Sequence, residues 1–146
     1  MLDMIRILKV DEYNEEYVVA INRLLKQLSS EKISFQKQEL LNIINSDSSS
    51  LYLMYLKDEI IGMFTLCACL APTGIKYWLE DVVLDEKYRG QSLGKELVKA
   101  AIERVSLRGK SKLMLTSRPE RLIANSLYKS LGFKPRNTNV YRMDFN

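Results

Sequence analysis

The 146-residue sequence predicts an α/β fold in which a central mixed, mostly antiparallel sheet is flanked by helices on both faces. Three observations carry that reading. Apolar runs between Leu51 and Leu84 are cut by the turn residues Lys57-Asp58-Glu59 and Ala71-Pro72-Thr73-Gly74, which makes three consecutive antiparallel strands. Two strand-helix-strand steps follow and supply parallel pairing. Ahead of the hairpins, apolar residues recur at helical spacing, so helices are available to cover the sheet.

Taken in order, Ile5–Val10 is a short apolar strand. From Tyr13 the set Tyr17, Val18, Ile21, Leu24, Leu25 and Leu28 forms the stripe of a long amphipathic helix that frays at Ser29-Ser30. A shorter helix spans Gln36–Ile44, with Ser34 as its cap and Leu40, Leu41 and Ile44 as its buried side. The serine-rich segment Ser46–Ser50 reads as a loop. Leu51–Leu56, Ile60–Leu70 and Ile75–Leu84 are the antiparallel strands. A helix then carries Leu93, Leu97, Val98, Ala101, Ile102 and Val105 on one side. Lys112–Thr116 is a strand and Glu120–Leu131 a helix, with Gly132 at the position that favours a left-handed cap. Phe133–Pro135 and Val140–Phe145 are expected to close the sheet as a last strand pair.

The length suits one domain, residues 1–146, which buries roughly 70% of its unfolded surface without a metal or disulfide staple. Lys and Arg number 22 against 18 Asp and Glu, a net charge of +4. That suits an acidic ligand but lacks the basic patch of a nucleic-acid binder. Met1–Val10 is too short and too charged for a signal peptide, and no apolar run reaches spanning length, so the expectation is a cytoplasmic protein with no membrane partner. A homodimer is left open. Cys67 and Cys69 alternate along one strand and read as buried thiols rather than as a metal pair or a disulfide. The sequence contains no histidine. Every Ser-His-Asp or Cys-His relay and the H-E-x-x-H zinc site are therefore excluded, and acid-base work falls to carboxylates, tyrosine, lysine, thiol or water.

The most informative stretch is Glu80–Lys95, E-D-V-V-L-D-E-K-Y-R-G-Q-S-L-G-K. An extended run feeds a glycine-containing turn and then a helix N-terminus, where unpaired N–H groups and the helix dipole favour an anion. It is not a P-loop: Gly90 and Gly94 are one residue too close, and Glu96 follows Lys95. The dinucleotide fingerprint G-x-G-x-x-G is also absent. What remains, R-G-Q-S-L-G, resembles the pyrophosphate loop [QR]-x-x-G-x-[GA] of the GCN5-related N-acetyltransferases (GNAT). Two further matches extend the resemblance along the chain. Leu84-Asp85 with Tyr88-Arg89-Gly90 fits that family's strand end and loop entry, and A124-N-S-L-Y-K-S-L-G-F133 fits its later helix signature A-x-x-L-Y-x-x-x-G-F. Ser92 departs from the pattern, standing where the family usually has glycine; it keeps the N–H, and binding survives unless the position needs φ > 0.

The resemblance implies the acyl-CoA N-acyltransferase fold, acetyl-CoA as co-substrate, an amine acceptor, and direct attack without a metal or a covalent enzyme intermediate. Pyrophosphate would be held by Arg89, Gly90, Gln91, Ser92, Leu93, Gly94 and Lys95, and the amide-like pantetheine arm by the strand edge Val82, Val83 and Leu84. Asn125 is the side-chain cofactor contact, with Arg121 as the alternative. Glu80 is the implied base and Asp81 its alternative. The run W-L-E-D-V-V-L also resembles the same strand of the glucosamine-phosphate acetyltransferases, where adjacent carboxylates handle the amine. Tyr128 matches the family's general acid. The acceptor side would involve Leu28–Phe35, Ala71–Lys76 and the closing strands, near Trp78, Arg118, Arg136 and Tyr141. The competing reading from another class is a non-catalytic acyl-CoA binding or sensing module.

Overall fold

The sheet begins at β1 (Ile5–Lys9), which pairs antiparallel with β2 (Ser49–Leu56); β2 pairs with β3 (Glu59–Ala71) and β3 with β4 (Gly74–Leu84), both antiparallel. A short strand β5 (Lys112–Met114) joins β4 in parallel, so the order is β1-β2-β3-β4-β5. The helices are α1 (Glu15–Leu28), α2 (Lys37–Ile44), α3 (Leu93–Ser106) and α4 (Leu122–Ser130). This computed structural model describes residues 4–146, so the reading of Met1–Val10 is met only from Met4 onward. It contains two compact units, one ending at Leu115 and the other Thr116–Asn146.

In the first unit the period-2 alternation of β2 sorts the core into two layers. Leu51, Leu53 and Tyr55 join Ile60, Met63 and Val83 against Val18, Ile21, Leu24 and Leu25 of α1 and Leu40 of α2. On the opposite face, Tyr52 stacks on Phe64 and its hydroxyl accepts from Arg108, just beyond α3, at 3.0 Å. From α3, Leu93, Leu97, Val98, Ala101 and Val105 are buried. Each fully buried leucine contributes roughly 2 kcal/mol of transfer free energy, and this two-sided burial is the predicted fold class.

Local chemistry explains most element ends. Asn14 caps α1, its side chain accepting the Glu16 N–H at 2.9 Å, and Glu15 and Glu16 complement the helix dipole. The cap of α2 is Gln36, not Ser34: the Glu39 carboxylate accepts the Gln36 N–H at 3.0 Å, the reciprocal half of a capping box. Strand β2 starts inside the serine-rich segment, because Ser46 Oγ accepts the N–H groups of Ser48 (3.2 Å) and Ser49 (3.1 Å) and turns the chain into the ladder at once. Contrary to expectation neither cysteine is buried: Cys67 is half-buried and Cys69 exposed, since β3 runs on past its last β2 partner, Cys67 opposite Ser49. No helix among the described residues is long and apolar enough to cross a membrane.

In the second unit, α4 ends as predicted. Gly132 has φ +104° and donates to Lys129 O at 3.1 Å, while Phe133 N–H reaches Tyr128 O at 3.0 Å. Those are the two bonds of a Schellman motif, and the accompanying apolar contact is Phe133 set edge-on to Tyr128, ring centroids 5.9 Å apart. The expected closing pair is not formed: neither Phe133–Pro135 nor Val140–Phe145 is a strand. Alternation of Tyr141, Met143 and Phe145 with Arg142 and Asp144 supplies a face, but a strand also needs a ladder partner. These side chains are exposed, and Arg142 pairs with its neighbour Asp144 at 2.7 Å.

Candidate active site

Strand β4 carries the first group of predicted residues. It pairs with β5 only through Lys76, Tyr77 and Trp78, so from Leu79 to Leu84 it has β3 on one side and no strand on the other among the described residues. Its pairing with β3 also slips. Glu80 faces Thr65 and Val83 faces Met63, which leaves Asp81 and Val82 opposite the single residue Phe64. This β-bulge is built around Asp81 at φ +51°, a left-handed conformation uncommon for a non-glycine residue. Gly62, opposite Leu84, allows the close approach just beyond the bulge, for a Cβ there would lie 3.1 Å from Val83 O.

Glu80 and Asp81 are both exposed at this irregularity. The Glu80 carboxyl is raised above the ordinary carboxylate range, first by desolvation and second by the Asp81 charge. Asp81 is raised by desolvation. Each carboxyl thus takes up a proton more readily than a free one, the direction a general base requires.

The chain leaves β4 through Asp85, makes a 3-10 turn at Glu86–Tyr88, and enters the loop before α3. Gly90 (φ +80°) and Ser92 (φ +64°) are both left-handed. Position 92 therefore does use positive φ, and serine occupies it without a side-chain capping bond. The first bond closing α3 is Glu96 N–H to Ser92 O at 3.3 Å. Among the described residues, the N–H groups of Gln91, Ser92, Leu93, Gly94 and Lys95 find no acceptor in the chain. A Cβ built on Gly90 or on Gly94 would meet nothing within 4 Å, so both glycines border open space. Leu93 is fully buried and anchors the helix start, while Gln91, Ser92 and Lys95 are exposed. Successive free N–H groups at a helix N-terminus fit a phosphate-bearing ligand. Arg89 Nε lies 3.3 Å from Leu84 O and so turns back toward the end of β4.

Sequence reasoning named Asp85 and Tyr88 only as part of the family match and did not single out the side-chain bonds that support this loop. Asp85 is 2% exposed; its Oδ2 accepts from Arg23 Nη1 at 2.9 Å, and its Oδ1 caps Lys87 N–H at 3.1 Å. Arg23 Nη2 reaches Ile60 O at 2.6 Å, and Gln27 Oε1 accepts Glu86 N–H at 2.8 Å. Glu59 accepts from the Tyr88 hydroxyl and from Lys87 Nζ, which hold its carboxyl below the usual range. The only signal for Arg23 and Gln27 in the sequence is their spacing of four beside an apolar stripe, which many surface residues share.

In the second unit Tyr128 is buried, and that burial raises its phenol pKa, with Arg121 pulling the other way. It stays protonated and can donate. Asn125 gives Nδ2 to Arg118 O at 2.9 Å, tying down the segment before α4, and Arg121 is the residue at the helix start. Trp78 is half-buried, whereas Arg118, Arg136 and Tyr141 are exposed.

Comparison with known proteins shows what this arrangement is similar to. The family described as acetyltransferase (GNAT) matches residues 10–133. A [ribosomal protein bS18]-alanine N-acetyltransferase of Haemophilus ducreyi is 30% identical over 113 residues, 77% of this chain and 74% of that protein. Among solved structures, an aminoglycoside acetyltransferase from an uncultured soil metagenomic sample, in complex with trehalose, superposes with a TM-score of 0.85 at 15% identity, covering 99% of this chain and 97% of that one. The aminoglycoside N-acetyltransferase AAC(6')-Iy in complex with CoA gives 0.75 at 16% identity, covering 96% and 94%.

Proposed function

The chain belongs to the GNAT family of acetyltransferases, and from that premise we propose how its residues transfer an acetyl group to an amine. It is an N-acetyltransferase. The donor is acetyl-CoA, and the observation that carries this assignment is the row of N–H groups from Gln91 to Lys95 that have no acceptor among the described residues. Those groups, with Gly90 giving the loop its left-handed turn and Arg89 and Lys95 adding charge, hold the pyrophosphate. The half-paired edge at Val82, Val83 and Leu84 offers backbone groups to the amide-like pantetheine arm, as an added strand would use them. Asn125, with Arg121 as the alternative, is the side-chain contact to the cofactor.

Acetyl-CoA, when bound, supplies an acyl group already activated as a thioester. Glu80, with Asp81 as the alternative, removes the proton that an ammonium must lose before it can attack, directly or through water; the raised pKa of both carboxyls supports this role. With acetyl-CoA bound, the N–C bond would form as the C–S bond breaks, the nitrogen would release its second proton to water, and Tyr128 would give its phenolic proton to the departing sulfur and be reprotonated from solvent. Its raised pKa keeps that proton in place beforehand. Neither Cys67 nor Cys69 takes part.

The two units act as a single domain, supported by a family match that runs through both. The location is cytoplasmic, in keeping with two free cysteines, one of them exposed. The acceptor is a primary amine of a small molecule or protein. Relatives are named for ribosomal-protein alanine and for aminoglycosides, so an amino-terminal alanine peptide and an aminoglycoside head the test panel. CoA release from acetyl-CoA with one of these amines is the expected outcome. CoA binding without release for any amine or peptide would overturn the catalytic assignment.

A further inference from the structure

The segment that delivers the chain from β4 into the loop is gripped from outside its own strand. Asp85 is the one buried charged residue among the described residues, and every polar group it has is engaged. Its N–H donates to Ile61 O at 2.7 Å, its carbonyl accepts Tyr88 N–H at 2.9 Å, and its two carboxylate oxygens take Lys87 N–H and Arg23 Nη1. The second Arg23 nitrogen bonds Ile60 O, so one planar guanidinium bridges the start of β3 and the end of β4. One turn further along α1, Gln27 holds the N–H of Glu86, the first residue of the 3-10 turn. Next to Ile60, Glu59 at the start of β3 binds both Lys87 and the Tyr88 hydroxyl. Arg89 follows directly.

An ion pair with one partner buried and the other 38% exposed is a poor source of net stability, since desolvation of Asp85 offsets much of the Coulomb attraction. What a fixed, fully bonded pair provides is geometry. Loop N–H groups bind an anion well only when they converge on one point, and a small misorientation forfeits much of that affinity. The fork at Arg23 and the bond at Gln27 fix the position and direction of the turn from which Arg89–Lys95 departs.

We propose that Arg23 and Gln27 of α1 are positioning residues for acetyl-CoA, acting through Asp85 and Glu86 on the orientation of the pyrophosphate loop. This rests on the assignment of Arg89–Lys95 as the pyrophosphate seat. Arg23→Met and Gln27→Ala, compared with the parent by equilibrium titration against CoA and against pantetheine, test it without knowledge of the acceptor. CoA carries the pyrophosphate and pantetheine does not, so a positioning role and a general structural role give different patterns.

The parent is expected to bind CoA far more tightly than pantetheine. In Arg23→Met the dissociation constant for CoA should rise at least tenfold, and in Gln27→Ala about threefold, with pantetheine changing less than twofold in both. Equal losses for the two ligands, or CoA binding unchanged in both variants, would overturn the proposal. A parent that does not distinguish CoA from pantetheine would instead sink the pyrophosphate assignment, and this proposal with it. Should Arg23→Met fail to fold because Asp85 is left buried and unpaired, Gln27→Ala decides alone, since it removes a neutral bond at a partly exposed position.

Discussion

Ser92 offers the sharpest test of the loop, because its backbone and its side chain are at odds. Its φ of +64° and ψ of 11° are left-handed, where an L-residue with a Cβ is disfavoured by roughly 1–2 kcal/mol. Serine recovers none of that through a cap, since its hydroxyl makes no bond to the α3 N-terminus. Ser92→Gly removes the clash, and the gain is offset by roughly 0.5 kcal/mol because glycine frees the unfolded chain. A net stabilisation of about 1 kcal/mol remains, which for a chain of this size moves the melting temperature by about 3 °C. Ser92→Ala keeps the Cβ and should match the parent within about 0.5 kcal/mol. Ser92→Val, with a branched Cβ, should fall below both. The measurement is thermal or urea unfolding of the four proteins side by side. CoA titration runs in parallel, where glycine and alanine should stay near the parent because both retain the N–H. If alanine proved more stable than glycine, position 92 would not be left-handed in the native protein.

Four other outcomes follow from the site. Tyr128→Phe should lower kcat by about a hundredfold while leaving the acetyl-CoA dissociation constant within a factor of two, as expected when only a proton donor is lost; equal turnover would remove Tyr128 from the mechanism. The base must be ionised, and both carboxyls are raised, so the acid limb of kcat/KM should lie above the ordinary carboxylate range, activity falling as pH drops through it. Because the Asp81 charge is one cause of the Glu80 shift, Asp81→Asn should move that limb to lower pH if Glu80 is the base, and Glu80→Gln should abolish it. Gly62→Ala puts a methyl 3.1 Å from Val83 O, a backbone atom with little freedom, and should cost about 1–3 kcal/mol by chemical denaturation; an unchanged midpoint would mean that β3 and β4 are not so close there.

What could be read from the sequence was whatever its own periodicity or turn chemistry determines. The α1 stripe, the two hairpins and the Gly132 cap are local statements, and each appears in the structure. The loop was legible because its glycines and its neighbours are contiguous. Long-range causes were not. Ser34 looked like a cap because it is a serine ahead of a helix, but Glu39 had already engaged the Gln36 N–H. Cys69 looked buried because it alternates with Cys67, yet burial depends on how far β2 extends alongside. The last apolar alternation, Val140–Phe145, specified a face without a partner. Arg23 and Asp85 are 62 residues apart, and nothing in either neighbourhood announces the other.

The two irregularities of β4 are best understood together. An unpaired strand edge is ordinarily a liability, because its open N–H and C=O groups invite another chain. Among the described residues this edge is covered only at Lys76–Trp78, and the bulge at Asp81-Val82 falls inside the longer open stretch, Leu79–Leu84. A bulge increases local twist and bends its strand. The β4–β5 ladder stops where β5 ends, at Met114 opposite Trp78, and beyond it β4 keeps free the groups an amide-like arm can use. The bulge puts the adjacent Glu80 and Asp81 carboxyls within that open stretch. Deleting Val82 should restore regular pairing between β3 and β4. A deletion variant that still folds, with backbone hydrogen exchange slowed along Leu79–Leu84 and CoA binding lost, is the expected result. Retention of full CoA affinity would show that the open edge has no part in holding the cofactor.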